Sequence, residues 1–194
     1  MIYSDKIKAA IRFATKTHEV YQKQKRKGKD IPYITHPLTV GIILSRAGAS
    51  EDVIVAGILH DTIEDSTPAK KVTRDMIYER FGKTVAEIVA DVTEPSKELS
   101  WDVRKSQSLE HITHSSHDSL LVKSADIVAN ATELIKDFQK EGDKTFSRFN
   151  APKDKALAMY DRVITSILQV WPENPLGDDL KEIRQAQAQM QVVR

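Results

Sequence analysis

Val53-Ile-Val-Ala-Gly-Ile-Leu59 is apolar on all sides, and it runs straight into His60-Asp61-Thr-Ile-Glu64-Asp65. Three carboxylates and an imidazole at the end of a buried helix are costly unless they find partners or a metal. If the helix continues, His60 and Glu64 share a face, as do Asp61 and Asp65, because residues four apart align. Asp126 poses the same problem inside Leu120-Leu-Val-Lys-Ser-Ala-Asp-Ile-Val-Ala129. Lys123 lies one turn before it and Asn130 one turn after, a polar stripe on an otherwise buried helix. His36, just before Pro37, supplies another imidazole. His111, His114 and His117 are spaced like a metal cluster, but their polar surroundings favour exposed side chains. His18 has no role in this reading.

The elements that must position these groups read as helix almost throughout. Ile7, Ala10, Ile11 and Ala14 recur at helical spacing. A second helix is expected from Pro37 to near Gly48. Ser50 then caps a third, with Glu51 and Asp52 where the dipole favours negative charge. A helix as uniformly apolar as 53–59 belongs in the middle of a domain. Thr73 caps the next, ending before Gly82, and Val85, Ile88, Val89 and Val92 mark another, ending before Pro95. The stretch from Glu94 to His117 reads as irregular. Long helices follow over about 118–138 and 153–171, and Leu180, Ile183, Ala186 and Met190 give a last amphipathic one. The expectation is an all-α helical bundle of about eight to ten helices. Residues 1–175 would form the working domain, with 176–194 a C-terminal amphipathic helix packed on it.

Composition agrees with a single soluble domain. The chain has 194 residues, 40% hydrophobic and 29% charged, with 29 basic against 28 acidic side chains and a formal net charge of +1. That length can bury a sizeable core. The near-neutral balance argues against nucleic-acid binding driven by bulk charge. No run approaches the roughly 20 apolar residues of a membrane span, and Met1-Ile-Tyr-Ser-Asp5 lacks a secretory pattern. With no cysteine, disulfides, thiolate metal sites and a Cys nucleophile are excluded. A cytoplasmic protein without membrane or nucleic-acid partners is expected.

Several stretches together resemble the HD phosphohydrolase superfamily, and within it the hydrolase domain of the RelA/SpoT family, the small Mesh1-like alarmone hydrolases in particular. They are Arg26-Lys27, Pro32-Tyr-Ile-Thr-His36-Pro37, Leu59-His60-Asp61-Thr-Ile-Glu64-Asp65, His114-Ser-Ser116 and Leu121-Val-Lys-Ser-Ala-Asp126, with Asn130. They run in family order over roughly residues 4–170. An HD pair alone is a weak signal; HDxxED with the upstream YIxHP and downstream VKxAD is specific.

The resemblance implies that His36, His60, Asp61 and Asp126 are metal ligands and that Glu64 and Asp65 are catalytic carboxylates acting on the attacking water. It implies that Arg26 and Lys27 contact the nucleotide and Asn130 its sugar. The implied reaction is removal of the 3′-pyrophosphate from (p)ppGpp or (p)ppApp, with Mn²⁺ as cofactor. The donor types suit Mn²⁺, Fe²⁺, Co²⁺ or Zn²⁺ and do not choose among them. The basic run Lys23, Lys25, Arg26, Lys27, Lys29 suits so anionic a substrate. Ile127 follows Asp126 where the family has a basic residue, and the loop from Arg26 to Pro32 is one residue longer than in the long bifunctional enzymes. Both departures bear on guanine against adenine preference. The length leaves no room for a synthetase domain, so hydrolysis alone is expected. The alternatives are a phosphatase of another 2′- or 3′-phosphorylated nucleotide such as NADPH, and an inactive nucleotide-sensing module.

Overall fold

The computed structural model describes residues 4–94 and 98–192. Among them are ten α-helices: α1 (Asp5–Thr15), α2 (Thr35–Arg46), α3 (Glu51–Leu59), α4 (Thr62–Asp65), α5 (Arg74–Phe81), α6 (Lys83–Val92), α7 (Trp101–Ile112), α8 (His117–Glu141), α9 (Lys153–Val170) and α10 (Gly177–Val192). The all-α fold expected from the sequence is the fold observed. No strand forms among the described residues, and the nearest thing to one is an isolated bridge between Lys25 and Pro32. Helix starts follow local chemistry. Ser4, Ser50, Thr73, Ser100 and Ser116 each accept a hydrogen bond from the backbone N–H three residues on. That satisfies one of the donors a helix start leaves open.

α3 is the central element, with every residue from Val53 to Leu59 buried. It packs against α1, α2, α6 and α8. Two glycines let α2 and α3 approach closely. A Cβ on Gly57 would lie 2.2 Å from Leu44 Cδ1, and one on Gly41 would lie 2.8 Å from Ile58 Cγ1. Val40, Leu44, Val55, Leu59, Val89 and Val122 fill the main core. A second cluster, including Leu120, Ile127, Ile164, Ile167 and Leu180, fastens α9 and α10 to the outer face of α8. No helix among the described residues is long and apolar enough to cross a membrane.

The structure departs from the sequence expectation in four places. α2 begins at Thr35, so Pro37 and His36 both sit in its first turn; proline is tolerated there because its missing N–H would have no helical partner. The stretch expected to be irregular contains α7, which Ser100 caps and which buries only Ile112. After Thr15 the helix widens into a π-helical segment, Lys16–Tyr21. The helix through 53–65 breaks at His60–Asp61 before resuming as α4. The stop at Pro95 and the N-terminal Met1–Tyr3 lie outside the described residues.

Candidate active site

Four residues expected as ligands come from three elements. His36 sits in the first turn of α2, His60 and Asp61 at the break between α3 and α4, and Asp126 midway along α8. Ligand atoms of His36, His60 and Asp126 all lie within 4.8 Å of one another. Asp61 Oδ2 is 3.0 Å from His60 Nε2 and 3.7 Å from His36 Nε2. His36 Nε2 is 3.2 Å from Asp126 Oδ1. Both imidazoles are buried.

The surroundings orient these donors. His60 Nδ1 is 2.7 Å from the Gly57 carbonyl, so Nδ1 carries a hydrogen and donates. Nε2 is left facing the carboxylates, buried and without a hydrogen bond. This backbone contact is the kind that fixes the tautomer of a metal-ligating histidine. Tyr33 donates its hydroxyl to Asp61 Oδ2 at 2.5 Å, and Asn130 Nδ2 donates to Asp126 Oδ1 at 2.6 Å.

Electrostatics point the same way. Burial raises the Asp61 and Asp126 carboxyls, but the facing groups outweigh it. His60, His36 and Tyr33 hold Asp61 far below the usual range, and His36 and Lys123 hold Asp126 at about 2. Burial lowers His60, yet Asp61 and Asp126 outweigh that and push it up to about 9. The same carboxylates, added to burial, push the Tyr33 phenol well above its ordinary value. Two half-buried carboxylates therefore face two buried imidazoles at this point. An imidazole and carboxylate set without sulfur fits a divalent transition metal, which would take the place of the proton.

Above the cluster lies a cleft formed by two adjoining cavities of about 370 and about 550 Å³. Among the residues they share are Lys27, Tyr33, Asp61, Glu64 and Asn130. The first holds all four expected ligands, and the second is walled by Arg26 and Asp65. The expected catalytic and substrate residues therefore surround one space with the expected ligands at its floor.

The basic run divides by partner. Lys25 pairs with Asp30. Lys29 bridges Glu133 at 2.5 Å and Asp137 at 2.6 Å. Arg26 reaches Glu133 at 2.6 Å and Asn130 Oδ1 at 2.8 Å, with its guanidinium 5.6 Å from the Tyr33 ring. Lys27 lies 5.4 Å from the Phe149 ring, where burial lowers its pKa. Burial raises the Glu133 carboxyl, but Lys29 and Arg26 outweigh it and hold it below the usual range.

Sequence reasoning missed Tyr33, Gln24 and Glu133. A signal for the last existed in Glu133, Asp137 and Glu141, which repeat every four residues and so line one face of α8. The three-histidine spacing gathers no common site: His111 Nε2 meets Asp91 at 2.5 Å, and His117 stacks on Trp171 at 4.3 Å.

A family model described as HD domain matches residues 10–154. The chain belongs to the HD-domain family. Within the HD-domain family it is similar to the guanosine-3′,5′-bis(diphosphate) 3′-pyrophosphohydrolase MESH1 of Danio rerio, 40% identical over 126 residues. That match covers 64% of this chain and 66% of the relative. The MESH1 of Homo sapiens is 36% identical over 124 residues, covering 63% of this chain and 65% of that one. The match thus spans just under two thirds of the length of these two curated relatives. Among solved structures, a metazoan ortholog of SpoT that hydrolyses ppGpp superposes with a TM-score of 0.76 at 25% identity, covering 94% of this chain and 96% of its own. A Listeria monocytogenes EGD-e protein superposes at 0.70 with 30% identity, over 80% of this chain and 97% of that one.

Proposed function

We propose that this chain hydrolyses the 3′-pyrophosphate of an alarmone nucleotide, (p)ppGpp or (p)ppApp, giving the nucleoside 5′-di- or triphosphate and pyrophosphate. The observation that carries this reading is the convergence of His36, His60 and Asp126 within 4.8 Å at the floor of a cleft rimmed by Arg26 and Lys27. The relatives named as 3′-pyrophosphohydrolases of this nucleotide, and the ppGpp-hydrolysing structure, support it.

His36, His60, Asp61 and Asp126 would hold a divalent cation, with Mn²⁺ the ion proposed. Such an ion supplies Lewis-acid polarisation of a phosphoryl oxygen and lowers the pKa of water. The chain's own groups do the rest. Glu64 and Asp65, one turn beyond the ligands, orient the attacking water and take its proton. Water attacks the phosphorus joined to O3′, the O3′–P bond breaks, and the proton taken from the water passes to O3′, which leaves as the ribose hydroxyl. Arg26 and Lys27 grip the anionic nucleotide, and Asn130 meets its sugar.

The test is turnover of ppGpp, ppApp and NADPH by the Mn²⁺-loaded chain, with pyrophosphate and orthophosphate measured separately. Pyrophosphate release from an alarmone is the expected result. Orthophosphate from NADPH alone would replace this reading with a phosphatase. Tight nucleotide binding without turnover in any divalent metal would replace it with a sensing module.

A further inference from the structure

His18 is fully buried, on the π-helical turn Lys16–Tyr21, and neither the ligand set nor the cleft uses it. π-helical turns inside helices occur frequently at functional sites. Its Nδ1 lies 2.9 Å from Gln24 Oε1, and Gln24 Nε2 donates to Asp65 Oδ2 at 2.8 Å. The carboxylate oxygen accepts, so the Gln24 amide turns its NH₂ toward Asp65 and its carbonyl toward His18. That carbonyl can only accept, so His18 Nδ1 must carry a hydrogen. The polarity of the chain from His18 through Gln24 to Asp65 is thereby fixed.

The backbone is bent to make this contact. Gln24 N donates to the His18 carbonyl at 2.9 Å, and the Gln24 carbonyl accepts from Tyr33 N at 2.9 Å. Lys23, between them, adopts φ +50°, a left-handed conformation that costs a non-glycine residue roughly 1–2 kcal/mol. The other ring nitrogen, His18 Nε2, is buried with no hydrogen-bond partner among the described residues. An imidazole kept only to fill space would be a poor choice here, because an apolar ring leaves no such atom unsatisfied. Among the described residues, the one side-chain hydrogen bond His18 makes is the one to Gln24. Its ring also packs on Tyr33 at 5.1 Å, and Tyr33 bonds Asp61.

We infer that His18 and Gln24 are positioning residues, a two-link hydrogen-bonded strut that fixes the orientation of the Asp65 carboxylate in the cleft. The inference rests on the proposed role of Asp65 in handling the attacking water. With Oδ2 held by Gln24, the carboxylate cannot swing freely, and its second oxygen has a defined place.

The experiment measures kcat, KM, bound Mn²⁺ and Tm for the full chain acting on ppGpp. Gln24→Met keeps the shape of the half-buried side chain and removes both bonds. His18→Leu removes the donor, and His18→Asn returns an N–H near the Nδ1 position. Gln24→Met and His18→Leu should lower kcat about 10-fold or more, in the range seen for residues that orient a site from behind, with KM and Mn²⁺ content unchanged. His18→Asn should recover most of the loss. In an Asp65→Asn background, Gln24→Met should cost no further rate, because the strut acts only through that carboxylate. Parental kcat in Gln24→Met beside a slow Asp65→Asn would overturn the strut and leave the role of Asp65 standing. Multiplying losses in the double variant would overturn it equally. A parental rate in Asp65→Asn would overturn the role of Asp65, and the strut with it.

Discussion

Arg26 and Asp126 are joined through a single amide. Arg26 Nη2 donates to Asn130 Oδ1 at 2.8 Å, and Asn130 Nδ2 donates to Asp126 Oδ1 at 2.6 Å. The rim proposed to meet nucleotide is thus tied by hydrogen bonds to the floor. Arg26→Ala should act chiefly on binding, since the floor keeps its ligand atoms. A charged hydrogen bond is worth about 1.5–3 kcal/mol, so KM should rise roughly 10- to 100-fold. Metal content should not change. An Arg26→Ala protein with parental KM would remove this residue from the substrate contacts.

Asp61 is the second carboxylate facing the two imidazoles. Asp61→Ala should strip the metal or weaken it severely, and with it activity. Chelation of the parent should lower Tm by several degrees, because a ligand at about 100 times its Kd adds about 2.7 kcal/mol to the folded state. Asp61→Ala should already sit near the chelated Tm and respond little to added Mn²⁺. Full metal occupancy in this variant, by elemental analysis, would contradict the ligand assignment.

Glu64 and Asp65 stand one helical turn past His60 and Asp61, the proposed ligand pair. Their amides, Glu64→Gln and Asp65→Asn, should keep the metal and still bind nucleotide. Turnover should fall by roughly two orders of magnitude or more, as positioned acid–base groups contribute about 10²–10⁴-fold. Parallel measurement of metal content, Kd and kcat separates this from a binding defect. Parental turnover in both variants would make these carboxylates structural.

The cluster of His36, His60, Asp61 and Asp126 was legible because polar residues interrupt apolar sequence, and such interruptions are expensive unless used. α3 was legible for the same reason, being apolar on every side. α7 was not, since a helix that buries only Ile112 shows no strong periodicity. The π-helical turn leaves no compositional trace; it is a change of winding within one amphipathic run. Glu133 escaped because its meaning depends on Arg26, 107 positions away. His18 escaped because Gln24 gives it significance only once the Lys23 turn has folded.

Glu94 pairs with two basic side chains of α7, Arg104 and Lys105. Burial raises its carboxyl, but Lys105, Lys123 and Arg104 outweigh that and hold it below the usual range. It meets Arg104 at 3.1 Å and also bonds Lys105. A depressed folded pKa contributes stability that is complete above the unfolded value, about 4.3, and is lost as pH falls through the folded one. The parent should therefore melt above Glu94→Gln at neutral pH, and the gap should close only below about pH 4.3. Calorimetry across that window checks it; a gap that narrows between pH 5 and 7 would assign the effect to another group.

The missing side chain at Gly57 reaches further than packing. α2 carries one imidazole of the cluster and the other directly follows the end of α3, and Leu44 lies where a Cβ at residue 57 would fall. The carbonyl of that same glycine takes the His60 Nδ1 hydrogen. One position therefore acts as both spacer and compass, gauging the gap between α2 and α3 and holding the His60 ring in its orientation. The spacing of the proposed ligand set thus leans on a residue outside it, and a single methyl there would have to displace the buried Leu44 side chain without altering any proposed ligand.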